Sequence, residues 1–293
     1  MSALKALRDR RKTIQSTQKI TLAMKMVAAA KLRRAQAHAE AGRPYATHMQ
    51  KILSNLARNA QALESPHPLL TGTGKRETHL ILLATSNRGL CGPFNASLAR
   101  YTKKVITDYQ EQGLQVKLFC MGIRGQELLE REFGSLMVER LSSFGTPRFS
   151  DAEQISAMLI TMMQKGVFDV CTIIYNHFQS AMTQTVTMHQ LIPLTLEEAT
   201  DPLPSLHALY EYEPHENTLL NKLLPQNLAV QLYSALLENA ASEQGARMTA
   251  MDSANRNASD MLEKLTLTYN RTRQTHITRE LIEIIAGAET LRA

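Results

Sequence analysis

At both ends of the chain, apolar and small residues recur every three or four positions with polar residues between them. Leu4, Leu7, Ile14, Thr17, Thr21, Met24 and Ala28 step by three, seven, three, four, three and four. That is a heptad seam on one face of a helix, thin and made of mixed residues. Met251, Ala254, Ala258, Met261, Leu265, Tyr269 and Thr272 repeat the three-four step near the other end. Residues 1–41 contain neither Gly nor Pro, and from Gln226 onward there is no Pro and only Gly245 and Gly287. Nothing in either stretch breaks a helical ladder. Each predicts one long helix, roughly 60 Å for the first and up to roughly 90 Å for the second at about 1.5 Å per residue. Small seam residues let two helices approach closely, which predicts an antiparallel intramolecular coiled coil. The alternative is that each helix packs separately on a globular body, against which stand polar faces too wide for full burial.

The pattern changes in the middle. Thr78–Thr85 reads as a strand, followed by the turn-like SNRGLCGPFN (Ser86–Asn95) and a helix to Glu111. Gln115–Met121 is a second strand and Gly122–Glu132 a short helix; Asp151–Lys165 reads as a helix with Asp151 as a first-turn acid. Val170–Phe178 and Thr185–Leu194 complete the strand set. Alternating strands and helices predict a Rossmann-like α/β layer with a partly parallel sheet. Thr195–Pro225, rich in Pro and acids, reads as an irregular connection, and His67–Arg76 as a linker into the α/β part. The expected fold is a long antiparallel coiled coil with an inserted α/β domain. It divides into 1–66 (first helix), 77–200 (α/β), 201–225 (connection) and 226–293 (last helix).

Composition adds limits. The chain has 293 residues, 44% of them hydrophobic, with no Trp. Its longest aliphatic run, Leu80–Ala84, suits a buried strand and falls far short of the 18 or so residues of a membrane span. No apolar segment follows the basic N-terminus, so a secretory signal is not expected; a transit peptide is disfavoured because the helical pattern starts at once. Cys91, Cys120 and Cys171 lie far apart without a CxxC, which fits a reducing compartment. The net charge of +6 is uneven. Residues 1–34 hold ten Lys or Arg and one acid, Asp9, leaving the rest of the chain slightly acidic. The first helix therefore expects an acidic partner.

Candidate chemistry is sparse. Gly72–Lys75 (GTGK) resembles a phosphate loop, but Arg76 stands where Ser or Thr should bind magnesium, and the motif precedes a strand. Arg88–Gly92 (RGLCG) does follow a strand, where amides can cradle an anion, but it lacks GxGxxG spacing and reads better as a tight turn. Cys91 beside Arg88 is open to a lowered thiol pKa or to simple packing. The nine His residues show no metal-ligand spacing, and no acid–base pair stands out. No catalytic, cofactor or metal residue is assigned. A nucleic-acid helix is the other reading of Arg8, Arg10, Arg11 and Lys12. Against it, Lys19, Lys25 and Lys31 wind around the helix instead of tracking one face.

Four segments carry a resemblance: Ile14–Lys31 (IQSTQKITLAMKMVAAAK), Thr85–Asn95 (TSNRGLCGPFN), Glu243–Leu262 (EQGARMTAMDSANRNASDML) and Ile277–Thr290 (ITRELIEIIAGAET). All resemble gamma subunits of F-type ATP synthases, in the family's order and over nearly the whole chain. The last is similar to the family's C-terminal signature, through Ile277, Thr278, Glu280, Glu283, Gly287 and Ala288. Thr290 departs from its usual Ala, Ser, Lys or Arg. The paired-Cys insertion of chloroplast members is missing, so no thiol switch of that kind is implied.

The resemblance implies a non-catalytic rotor in the F1 central stalk. Its terminal helices would turn within alternating alpha and beta subunits that hold the nucleotide sites. Its α/β part would meet epsilon and the membrane c-ring, with delta and the rest of the complex reached indirectly. It implies a place on the cytoplasmic side of a bacterial inner membrane, peripheral to it, and control of ATPase activity and proton flow. By the same resemblance, Met24, Lys25, Arg33 and Arg34 face acidic lever loops of beta, and Arg273 and Gln274 a catch loop. Arg247, Thr278 and Glu280 support coupling, and Ile284, Ile285 and Leu291 turn in an apolar bearing. The alternative for each is an ordinary solvated helix face.

Overall fold

A computed structural model describes residues 2–60, 67–142, 145–194 and 216–290. Two helices of unusual length dominate it, α1 (Ser2–Ala60) and α6 (Glu216–Thr290). α1 runs on past Gly42 and Pro44. Pro44 offers no N–H to the ladder, but it sits on an exposed face where solvent substitutes for the lost bond. α6 starts ahead of the expected Gln226 and carries Pro225 inside it. The proline carbonyl accepts from Ser156 Oγ at 3.2 Å, and Leu220 and Leu224 are already buried. Apolar spacing thus overrode proline as a boundary signal.

The described residues group into two compact units, Met1–Ala28 with Met248–Ala293, and Ala29–Arg247. In the first, segments of α1 and α6 pair antiparallel. Arg11 lies over the Tyr269 ring with its guanidinium carbon 5.2 Å from the centroid. Gln18 Nε2 donates to Ser259 Oγ at 2.7 Å, and Lys25 Nζ meets Asp252 Oδ1 at 2.5 Å. As the α1 number rises, the α6 number falls. Two seam positions differ from the sequence reading. Gln18, not Thr17, turns inward, and Leu262 is half-buried while Met261 is exposed. Arg11 fills the seven-residue gap of the α1 seam. Polar side chains that bond across the pair were invisible to an apolar pattern.

The second unit is built on a five-stranded sheet in the order β3-β2-β1-β4-β5. Its strands are β1 (Thr78–Ala84), β2 (Gln115–Met121), β3 (Met137–Leu141), β4 (Val170–Phe178) and β5 (Gln184–Ile192). β1 to β4 run parallel and β5 antiparallel to β4. β1 is buried on both faces, as parallel strands are. Leu80, Leu82 and Ala84 enter one core, with α5 (Phe149–Gln164) and the Leu220–Leu236 face of α6. Ile81 and Leu83 enter the other, with α3 (Phe94–Glu111) and α4 (Ile123–Phe133). Met49 and Leu53 of α1 close the first core. Asp151 does act as the first-turn acid of α5, accepting from Arg148 N at 2.9 Å.

The short helix α2 (Pro68–Thr71) and the edge strand β3 escaped the sequence reading. β3 reads Met-Val-Glu-Arg-Leu with an exposed, charged centre, which resembles a loop in composition. Of the expected irregular connection, 195–215 lies outside the described residues.

Candidate functional site

In a doubly wound sheet, ligands enter beyond the carboxyl ends of the strands, where the strand order reverses. Here that point lies between β1 and β4, and α6 fills it. Ala84, Thr85 and Met121 face Leu236, Asn239, Ala240 and Glu243, leaving a cavity of only about 10 Å³. Asn239 Oδ1 accepts from Asn176 N at 3.1 Å, and Ser242 Oγ donates to Asn176 O at 2.8 Å. A nucleotide has no room in this crevice.

The turn after β1 is closed from within. Asn95 Oδ1 accepts from Ser86 N at 3.1 Å, and Ser86 Oγ donates to Arg88 O at 2.7 Å. Leu90 takes a positive φ of 66°. Arg247 of α6 pairs through Nη1 with Glu243 Oε1 at 2.7 Å and is only 11% exposed. Its Nη2 donates to the carbonyls of Arg88 and Gly89 at 3.3 and 3.4 Å. The turn therefore presents carbonyl oxygens to a cation, the opposite of an anion cradle.

Gly72–Lys75 is likewise structural. Asp169 Oδ1 accepts from Thr73 Oγ1 at 2.6 Å, and Oδ2 accepts from the Glu77 and Thr78 amides. An acid occupies the place where a phosphate loop would hold an anion. The Thr73 hydroxyl, then these amides and Lys75, hold the Asp169 carboxyl below its usual range. Cys91 is buried, and its burial raises the thiol pKa, which removes the reading of an activated thiol. Burial pushes Cys120 up to about 12 and raises Cys171 as well. Among the described residues, no group of three or more His, Cys, Asp or Glu could hold a metal ion.

The residues singled out by resemblance fall in distinct settings. Met24 is half-buried in the seam and Lys25 is paired to Asp252. Arg33 and Arg34 are exposed on the part of α1 that belongs to the second unit. Arg247 is bound inside that unit. Arg273 and Gln274 are exposed on α6, Thr278 Oγ1 bonds back to Gln274 O at 3.0 Å, and Glu280 pairs with His276 at 3.1 Å. Leu291 lies outside the described residues.

The end of α6 carries more than the expected Ile284 and Ile285. Ile277, Leu281 and Ile282 join them, all about half exposed or more. The i, i+4, i+5, i+7, i+8 spacing was a readable sign of this apolar stripe. Of the basic run Arg8, Arg10, Arg11 and Lys12, Arg11 is engaged within the helix pair.

A family model described as ATP synthase matches residues 3–291. The ATP synthase gamma chain of Rhodospirillum rubrum is 50% identical over 299 residues, covering 99% of this chain and all of that one. That of Acidiphilium cryptum is 51% identical over 296 residues, with the same coverage. This chain belongs to the ATP synthase gamma-chain family. Gamma chains are non-catalytic stalk subunits. A central stalk/c-ring structure of the Tetrahymena thermophila mitochondrial ATP synthase aligns with 80% of the chain and 99% of its own, at 28% identity and a TM-score of 0.61. A Euglena gracilis mitochondrial ATP synthase chain shares the fold at TM-score 0.69 and 20% identity, over 99% of this chain and 95% of that one. Among the described residues, no helix is long and apolar enough to cross a membrane.

Proposed function

We propose that this gamma chain is the rotor shaft of an F1Fo ATP synthase. It couples proton-driven rotation of the membrane c-ring to ATP synthesis, or hydrolysis, at sites held by the alpha and beta subunits. The observation that carries this reading is near-50% identity to gamma chains over their full length. The crevice filled by α6 supports it, since a shaft transmits work without turning over nucleotide. The paired helices turn within the alpha and beta ring, and the sheet unit meets epsilon and the c-ring, with delta reached only indirectly. The chain lies peripherally on the cytoplasmic side of a bacterial inner membrane and regulates ATPase activity and proton flow.

Within this reading, Met24, Lys25, Arg33 and Arg34 face beta lever loops, and Arg273 and Gln274 a catch loop. Thr278 and Glu280 support coupling from the α6 surface, while Arg247 does so by holding the Arg88–Gly89 turn. Lys25 then shares its charge between Asp252 and an acid of beta as the shaft turns. Exposed ion pairs of this kind are individually weak, about 0–1 kcal/mol, so each catalytic site can be released in turn. Ile284, Ile285 and Leu291 form the bearing, where apolar contact is non-directional.

The test is reconstitution with alpha and beta subunits for ATPase, and then with the remaining F1 subunits on vesicles carrying the membrane sector for ATP-driven proton pumping. The wild-type chain should restore coupled turnover, and Met24→Lys should lower the pumping-to-hydrolysis ratio by adding a cation beside the lever. Turnover of ATP by the purified chain alone, or failure to recover alpha and beta, would overturn the proposal.

A further inference from the structure

Beneath the sheet unit lies a trough that the rotor reading does not use. One cavity of about 430 Å³ opens between α1, the start of α5 and α6, with Gly42, Tyr45, Phe149, Tyr233 and Leu237 among its walls. A second, of about 220 Å³, reaches toward the β4 and β5 strands, where Tyr175, His189 and Gln231 line it. Both flank the same three residues, Ala46, Val230 and Ser234. Gly42 and Ala46 open the α1 side because they place no bulk there; a Cβ on Gly42 would meet nothing within 4 Å. The larger cavity alone falls within the volume range of small-molecule sites, about 300–1,000 Å³.

Its chemistry is graded. Phe149 and Tyr233 meet edge to face, centroids 5.7 Å apart, at the apolar end. Gln226 Nε2 donates to the Tyr45 hydroxyl at 2.9 Å on the rim. At the other end, Gln231 Oε1 is buried without a hydrogen-bond partner among the described residues. A buried acceptor left unpaired is costly and invites a donor. Neither lining holds an Asp, Glu, Lys or Arg side chain.

We infer that this trough is a binding site for a neutral, largely aromatic small molecule with a hydrogen-bond donor at one end. The rings lie between Phe149, Tyr233 and Gly42, and Gln231, whose side chain lines the second cavity, swings its buried amide oxygen outward to accept from the donor. A charged ligand is disfavoured, because no opposite charge would compensate its desolvation. An occupant would tie α1 to α6 and to the strands beneath, which stiffens this unit. The inference stands independently of the rotor reading.

The probe is 4-phenylphenol, with biphenyl as its donor-free counterpart, titrated into the full chain and followed by NMR. Saturable binding of 4-phenylphenol is expected with a dissociation constant below about 1 mM, and biphenyl should bind at least several-fold more weakly. Ser234 is exposed, so Ser234→Phe should fold normally, block the junction and weaken binding about tenfold or more. Gln231→Met keeps side-chain length but removes the acceptor, and should erase the difference between the two probes. An unchanged affinity in Ser234→Phe with an intact circular dichroism spectrum, or an undiminished preference for the phenol in Gln231→Met, overturns the site. Loss of binding once the chain is assembled with alpha, beta and epsilon also overturns it, and makes the trough a seat for a neighbouring subunit.

Discussion

Lys25 of α1 and Asp252 of α6 form an ion pair across the helix pair, Nζ to Oδ1 at 2.5 Å. Arg256 Nη2 holds the other oxygen of that carboxylate at 2.6 Å. The Lys25 hydrogen bond first, and the Arg256 charge with it, depress the Asp252 pKa. A depressed folded-state carboxylate contributes stability that is present above its unfolded pKa and lost as pH falls through the folded value. Asp252→Asn should therefore lower the unfolding midpoint slightly at neutral pH. It should also flatten the decline of that midpoint toward acid. Thermal melts of both chains between neutral pH and pH 3 check this; parallel curves would refute it.

Arg247 satisfies one carboxylate and two backbone carbonyls at once, a geometry that suits a planar fork. Arg247→Ala leaves Glu243 and the Arg88–Gly89 turn without it, at a cost of about 2–3 kcal/mol. Amides of residues 86–92 should exchange faster by hydrogen-exchange mass spectrometry. Arg247→Lys should recover little, because an ammonium cannot span all three acceptors.

Gly122 and Gly125 pack against Thr85. A Cβ at Gly122 would collide with the Thr85 carbonyl oxygen, and the residue also has a φ of 106°. At Gly125 a Cβ would come 2.6 Å from Thr85 Oγ1, the atom that accepts from the Gly125 amide at 3.0 Å. Alanine at either position should cost at least about 1–3 kcal/mol, with Gly122→Ala the worse. Urea unfolding midpoints measure the ranking.

Cys91, Cys120 and Cys171 are all buried with raised thiol pKa values. Thiolate is the reactive form. A disulfide reagent at pH 8 should consume few thiols in the native chain and all three after unfolding in guanidinium. Rapid native labelling would count against this packing.

Ala28 is 1% exposed at the α1 side of the tight helix pair. Ala28→Leu should force the helices apart and destabilise by about 1–3 kcal/mol, lowering the unfolding midpoint. Ala23, exposed on the same helix, should tolerate leucine with little change.

Much of this was legible from residue spacing, and the reasons for the exceptions are physical. The parallel strands were visible because burial on both faces makes their hydrophobic runs continuous, as in Leu80–Ala84. The helix pair was visible through its small apolar seam. Gln18 and Lys25 were missed as cross-helix partners because each bonds to a polar residue far away in sequence, and Arg11 because it lies over the ring of Tyr269. β3 was missed because an edge strand needs no hydrophobic centre. Pro225 misplaced the start of α6 because buried leucines precede it. Candidate contacts came from motif likeness, and their settings depended on partners such as Asp252 and Glu243 that only the fold brings near.

The crevice packed with Leu236, Asn239 and Glu243 has one further consequence. At that mouth the residues answer to packing between α6 and the sheet, so a substitution there reads out as lost stiffness and not as lost ligand affinity.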